Sequence, residues 1–227
     1  MTPPFRAPTP TKKSAVLLVD DHPIVRQGLA QLINQEADMM VCGHAEDATG
    51  AHSAIAAQRP DVVVLDISLN GPDGLTVLKE IRAGDPTLPV LILSMHDESI
   101  YAERALRAGA NGYIMKQEAT ERVLEAIRRI RAGEVYVSDR ISKRLLRQIV
   151  NGPATGKSPI EALTDRELAV FRLIGKGHGT REIADDLQIS VKTVETYQAH
   201  IKEKLSLKNA RELVQHAFQW VSSQDGG

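Results

Sequence analysis

Val62-Val-Val-Leu65, followed at once by Asp66, is the stretch that decides the fold. Four consecutive apolar residues, three of them β-branched, predict a strand. The lack of polar alternation requires cover on both faces of its sheet. Ala15-Val-Leu-Leu-Val19 and Val90-Leu-Ile-Leu93 have the same form, and Met40-Val-Cys-Gly43 and Tyr113-Ile-Met115 are shorter strand candidates. Helical patterns separate them. Val25, Leu29, Leu32 and Ile33 recur at helical spacing, and residues 47–58 are alanine-rich. Leu75, Leu78 and Ile81 share one face of 74–83, residues 98–108 run to Gly109, and residues 119–132 run to Gly133. Five strand–helix pairs in strict alternation predict a doubly wound α/β domain with a parallel sheet and right-handed crossovers.

The residues at the strand ends carry the chemistry. Strand one ends in Asp20-Asp21, strand three in Asp66, strand four in Ser94 and strand five in Lys116. Parallel strands put all of these on the carboxyl edge of the sheet, where such folds hold ligands. In the order 2-1-3-4-5, strands one and three are neighbours, which brings three carboxylates into one pocket. Clustered carboxylates repel one another unless a cation sits among them. Hard oxygen ligands with open positions suit Mg²⁺. A carboxylate can attack a phosphoryl group, and a cation, a lysine and a hydroxyl can neutralise its oxygens.

Past Gly133 the character changes. Residues 139–150 form a basic helix, and Gly152, Pro153, Gly156 and Pro159 mark a linker. Four helices come next. Thr164-Asp-Arg-Glu167 is a capping box, Thr180 caps a helix through Leu187, Ser190 caps one to about Leu205, and a short one begins at Asn209 and runs to about 219. Ile183, Ala184 and Leu187, with Val194, Tyr197, Ile201 and Leu205, form the inner faces of the middle pair. Lys192, Glu195, Thr196, Ala199, Lys202 and Glu203 are left outside. A helix of this kind fits the major groove.

Composition sets the outer bounds. The chain has 227 residues, 25% of them charged and 42% hydrophobic, which is ordinary for a globular protein. Its net charge of −1 conceals a division: residues 1–13 carry +3, residues 14–137 carry −7, residues 138–160 carry +4 and residues 161–227 carry −1. A DNA-binding role for the second half therefore rests on pattern and local charge. Four of the eleven prolines fall in the first thirteen residues, which read as a disordered leader without a signal sequence. The one cysteine, Cys42, excludes an intrachain disulfide and a multi-cysteine metal site. With no apolar run long enough to span a membrane, a cytoplasmic protein is expected.

With these residues in view, 14–134 resembles the receiver domain of a two-component response regulator, and 161–221 resembles the LuxR/NarL-type helix-turn-helix domain. The first resemblance is carried by Asp20-Asp21, Asp66, Ser94 and Gly-Tyr-Ile-Met-Lys ending at Lys116. The second is carried by Leu-Thr-Asp-Arg-Glu at 163–167, Thr-Arg-Glu-Ile-Ala-Asp-Asp-Leu at 180–187 and Ile-Ser-Val-Lys-Thr-Val-Glu-Thr-Tyr at 189–197. The resemblance implies strand order 2-1-3-4-5 and an all-α four-helix second domain. It implies that Asp66 accepts a phosphoryl group from a sensor histidine kinase, and that Asp20, Asp21, Asp66 and the Ser68 carbonyl hold Mg²⁺. Lys116 would pair with the phosphoryl oxygens, and Ser94 and Tyr113 would form the switch pair. Lys192, Thr193, Glu195, Thr196, Ala199, Lys202, Lys204 and Lys208 are the implied DNA contacts, with a homodimer formed on phosphorylation or DNA binding through the last helix. Residues 135–160 would be helix and linker, and 222–227 a disordered tail. Two positions depart from the receiver pattern: Asn70-Gly-Pro-Asp-Gly74 comes after the acceptor strand, and Gln117 replaces the usual proline after the lysine.

Three other functions compete. An Mg²⁺-dependent phosphatase needs an acid two residues after the nucleophile, where Ser68 stands. A phosphorylation-independent DNA-binding regulator with a structural receiver is the main alternative, and a receiver acting only through protein contacts is the other. The remaining signals are minor. His22 reads as a loop residue at a helix start, His200 as facing DNA or solvent, and Phe218 and Trp220 as packing rather than ligand-binding residues, with Val214 and Phe218 either exposed apolar residues of the last helix or part of its core.

Overall fold

The computed structural model describes residues 13–69, 74–95, 98–151, 159–187 and 189–225. The loop 70–73, the linker segment 152–158, Gln188, residues 1–12 of the expected leader and residues 226–227 lie outside them. Two compact units emerge, residues 1–150 and 151–227.

In the first unit, strands β1 (Ser14–Val19), β2 (Met39–Ala45), β3 (Val62–Asp66), β4 (Val90–Ser94) and β5 (Gly112–Met115) form one parallel sheet in the order β2-β1-β3-β4-β5. Helices α1 (Pro23–Gln35), α2 (Ala48–Gln58), α3 (Gly74–Gly84), α4 (Glu98–Arg107) and α5 (Ala119–Arg131) connect them. Every residue of β3 and β4 is buried, as their unbroken apolar runs require. On one face Val16, Leu18, Val62, Val64, Leu91 and Leu93 meet Leu29 and Ile33 of α1 and Val123, Ala126, Ile127 and Ile130 of α5. The edge strand β2 is only partly buried and carries a bulge: Val16 pairs with Val41 and Leu17 with Gly43, leaving Cys42 unmatched. Arg82 of α3 ties the other end of the sheet, donating to Gly109 O (2.8 Å), Leu88 O (2.6 Å) and Asn111 Oδ1 (2.8 Å).

The first unit continues past residue 134. Tyr113 N donates to Tyr136 O (2.8 Å) and Tyr136 N to Asn111 O (3.0 Å), so the chain after α5 pairs with the edge strand β5. Helix α6 (Asp139–Asn151) then buries Ile141, and Ser138 Oγ lies 2.8 Å from Glu98 Oε1 of α4. An open strand edge with unmet backbone groups, followed by an amphipathic helix, explains the extension.

The second unit holds α7 (Asp165–Gly175), α8 (Thr180–Asp186), α9 (Val191–Lys204) and α10 (Ala210–Asp225). Its core is Leu163, Leu168, Val170, Phe171, Ile174, Ile183, Ala184, Val194, Ile201, Leu213 and Ala217. Gly175 lets α7 and α10 touch, because a Cβ there would lie 2.4 Å from Ala217 O. The capping box at Thr164 and Glu167 forms as expected, and Ser190 caps α9. Two details differ from expectation. The cap of α8 is Gly179, whose N–H donates to Glu182 Oε2 (2.7 Å), and Thr180 is already helical. Helix α10 runs through Asp225, beyond the expected end near 219 and into the expected tail, because Trp220 continues its inner face onto Phe171 with ring centroids 5.8 Å apart. Of the two readings open for Val214 and Phe218, exposure holds: they are 52% and 62% exposed.

Glu167 does more than cap. Its buried carboxylate accepts from Thr164 N (2.7 Å) and from Lys204 Nζ (2.7 Å), which pins the end of α9 to the start of α7. Burial opposes the charge, but Lys204 and Thr164 together hold its pKa below the usual glutamate value of 4.5. Stability from this group is therefore complete above pH 4.5 and is lost as pH falls through the lower folded-state value. Glu167→Gln is expected to cost the second unit about 1.5–3 kcal/mol at neutral pH, and the difference from wild type should shrink in acid. Denaturant melts followed by Trp220 fluorescence check this; equal differences at pH 7 and in acid would contradict it.

Candidate functional site

Strand register builds the acidic pocket. Val19 pairs with Leu65, Asp66 with Leu93, and Ser94 with Met115. Asp20, Asp66, Ser94 and Lys116 therefore emerge side by side at the carboxyl ends of four adjacent strands. The structure brings together the three predicted acids, and Asp20 (2% exposed), Asp66 (1%) and Ser94 (0%) are all buried. Tyr113 is buried on β5 next to this edge.

Lys116 is the cation among the carboxylates. Its Nζ lies 2.7 Å from Asp20 Oδ2 and 2.8 Å from Asp66 Oδ2. Burial pushes the Asp66 carboxyl up and the nearby Asp20 adds to this, while Lys116 works against both; the outcome is raised. Burial also opposes the Lys116 ammonium, but Asp66 and Asp20 overcome it and hold that pKa above the usual lysine range. The lysine is thus held charged, and the Asp66 carboxyl is only partly compensated.

Backbone geometry fixes each acid. Asp20 N donates to Ala45 O (3.1 Å), and the Asp20 carbonyl accepts from the Arg26 guanidinium. Asp66 Oδ1 accepts from Ser68 N (3.0 Å). Gly74 N donates to Ile67 O (2.8 Å), and a Cβ at Gly74 would lie 2.1 Å from Asp66 O. Only glycine lets α3 begin against the backbone that carries Asp66.

One participant was missed in the sequence. His22 is no passive loop residue: its Nδ1 lies 2.6 Å from Asp21 Oδ1 and 3.2 Å from Asp20 Oδ1. One donor atom from each of Asp20, Asp21, His22 and Asp66 falls within 4.8 Å of all the others. Adjacency to the acid pair was the only available signal. Asp20 Oδ2 and Asp21 Oδ1 are buried and receive no aligned hydrogen bond, although Lys116 Nζ and His22 Nδ1 lie beside them. That donor set, three carboxylates with buried oxygens short of donors, fits a hard divalent cation.

In the second unit α9 presents Lys192, Glu195, Thr196 and Ala199 as exposed residues at positions i, i+3, i+4 and i+7. Thr196 Oγ1 donates back to Lys192 O (3.0 Å). Lys202 is half-buried, and Lys208 is exposed beyond the helix. Two of the expected contacts are engaged inside the domain. Thr193 shares a 2.7 Å hydrogen bond with the Ser190 hydroxyl, and Lys204 is bound to Glu167. His200 is 53% exposed, with Nδ1 3.8 Å from Glu167 Oε1. Among the described residues no helix is long and apolar enough to cross a membrane.

Comparison with known proteins agrees with both units. Residues 16–128 match the response regulator receiver domain, and residues 161–217 match the bacterial regulatory proteins of the luxR family. The oxygen regulatory protein NreC of Staphylococcus epidermidis is 37% identical over 210 residues, covering 90% of this chain and 96% of that protein. NreC of Staphylococcus aureus is 38% identical over 209 residues, with the same coverage. Among solved structures, RcsB of Salmonella typhimurium aligns with a TM-score of 0.55 at 27% identity, covering 91% of this chain and 98% of that one. RcsB bound to DNA aligns equally well, with a TM-score of 0.55 at 27% identity over 90% of this chain and 97% of that one. A LuxR-family regulator from Aurantimonas gives 0.57 at 36% identity over 61% of this chain and 99% of its own. The order of the sheet, the helix-turn-helix and these likenesses agree: the chain belongs to the LuxR-type response regulators, transcription regulators rather than enzymes, in which a receiver domain precedes a helix-turn-helix DNA-binding domain.

Proposed function

We propose that phosphorylation of Asp66 controls DNA binding by this regulator. The Lys116 bridge between Asp20 and Asp66 carries the reading: a buried carboxylate, a second acid and a charged lysine converge where a phosphoryl group needs a nucleophile and a counter-charge. An Asp66 carboxylate oxygen attacks the phosphorus of a phosphohistidine on a sensor histidine kinase. The O–P bond forms as the N–P bond breaks, and the released imidazole takes a proton from solvent. Asp20, Asp21 and Asp66, with the Ser68 backbone carbonyl, are the residues that would hold Mg²⁺. That ion, when bound, supplies positive charge against the phosphoryl oxygens.

Phosphorylation removes one Asp66 oxygen from the Lys116 pair, and Lys116 then turns to the phosphoryl oxygens. The Ser94 hydroxyl, at the end of the adjoining strand, moves towards the phosphoryl group in turn, and Tyr113 adjusts with it. These steps shift an equilibrium between two receiver states. The receiver core at 14–134 acts through helix and linker 135–160 on the DNA-binding core at 161–221, in the cytoplasm.

Helix α9 enters the major groove. Glu195, Thr196 and Ala199 read base edges, with the Thr196 methyl and Ala199 suited to thymine methyls. Lys192, Lys202 and Lys208 take phosphates, while Thr193 and Lys204 support the helix from the domain side. Residues 161–227 carry a net −1, so one copy has little electrostatic affinity and two are needed. Val214 and Phe218, 52% and 62% exposed on α10, supply an apolar surface for an isologous dimer.

Intact mass after incubation with a small phosphodonor and Mg²⁺ tests the chemistry. Wild type is expected to gain one phosphoryl group and elute as a dimer, and Asp66→Ala to do neither. An Asp66→Ala protein that binds DNA and regulates like wild type would instead favour the phosphorylation-independent alternative. On DNA, Lys208→Ala should weaken binding evenly across sequences and lower the salt slope by about one for each copy bound, so by about two for the dimer. Thr196→Ala should alter preference at one base pair, by about 1–3 kcal/mol. Selection from a random-sequence library at low and at high salt separates the two effects.

A further inference from the structure

Helix α6 is held on one side and bare on the other. Ser138 Oγ caps its first turn, accepting from Ile141 N (3.2 Å) and donating to Glu98 Oε1 of α4 (2.8 Å). Ile141 is buried, and the half-buried Arg144 turns back to Glu103 of α4 (3.8 Å). These contacts fix which residues face outward. Arg140, Lys143 and Arg147 all do, at positions i, i+3 and i+7, so they form one row on the helix surface. At the helical rise the row is about 10 Å long.

The charge of this row is not used within its own unit. Residues 14–137 carry −7, yet none of the three cations has an ion pair among the described residues. Asp139 is the single acid of the helix, against four cations. Residues 138–160 carry +4, whereas the DNA-binding unit at 161–227 carries −1. The positive charge that a polyanion attracts therefore lies ahead of the helix-turn-helix rather than in it. Only residues 152–158 stand between α6 and the turn at Pro159–Ala162 that opens the second unit. A chain of that length extends at most about 28 Å, which is less than the roughly 34 Å of one turn of duplex.

We infer that Arg140, Lys143 and Arg147 of α6 form a second DNA contact, taking phosphates of the duplex whose bases α9 reads. The inference rests on the reading of α9 as the groove helix and adds a cationic surface outside the helix-turn-helix. Three phosphate contacts in each copy supply affinity without sequence preference. Leu146 and Val150, 61% and 82% exposed, lie beside the row. A bilayer or a protein helix would bury that apolar pair, but two residues are a small patch for either. A phosphate backbone engages the cations alone.

Salt-dependent binding tests it, using phosphodonor-treated full chain and a duplex selected by wild type from the random-sequence library. Each phosphate contact contributes about 0.9 to the salt slope, so Arg140→Gln/Lys143→Gln/Arg147→Gln should lower it by about five for a bound dimer. Sequence preference should not change. Two further variants isolate the cause. Arg59→Gln/Lys79→Gln removes exposed cations elsewhere in the first unit and should keep the slope. Leu146→Gln/Val150→Gln should bind as wild type does. An unchanged slope in the triple variant overturns the inference and leaves DNA binding through α9 standing. A loss of affinity that does not vary with salt also overturns it, as does an equal loss of slope per charge in Arg59→Gln/Lys79→Gln. A loss confined to Leu146→Gln/Val150→Gln assigns the face to a protein or lipid partner instead and overturns it too. Failure of wild type to bind any duplex overturns the groove-helix reading and this inference together.

Discussion

Lys116 between Asp20 and Asp66 is the interaction on which the receiver depends. Three charged side chains are withdrawn from water at the end of a parallel sheet, where each would be unfavourable alone. The lysine is held charged by the pair, and the pair is held close by the lysine. Compensation is incomplete, since Asp66 remains raised and two neighbouring oxygens lack aligned donors. Carboxylates crowded in this way are relieved by added positive charge.

The pocket is positioned by backbone register and close packing. The parallel register delivers the four polar residues from adjacent strands, Gly74 allows α3 to start against the Asp66 backbone, and Arg82 ties α3 to the β4–β5 end of the sheet. The second unit repeats the logic with one acid. Glu167 is buried, caps its own helix and grips Lys204, so the position of α9 depends on a single carboxylate. Placement of the exposed face of α9 is thereby coupled to the fold of α7.

Much of this was legible in the residues. The apolar runs at β1, β3 and β4 identified buried parallel strands, because a strand covered on both faces cannot alternate. The Thr164–Glu167 box and Ser190 marked helix starts, because capping is a local interaction within four residues. Less local features were not legible. Tyr136 pairing beside β5 and the continuation of α10 through Asp225 each depend on what a distant segment covers. The pairing of Lys204 with Glu167 was hidden as well, because the two lie 37 positions apart.

By itself, then, the sequence determined the element order, the carboxyl-edge address of the acids and lysine, and the helix-turn-helix pattern. Period, capping and strand-end position are properties of short stretches. Only the tertiary structure decided that Lys116 bridges Asp20 and Asp66, that His22 turns its ring into the acids, and that Lys204 meets Glu167. Those outcomes are set by which oxygens and nitrogens meet after burial. Burial is a property of the packed chain, not of any stretch within it.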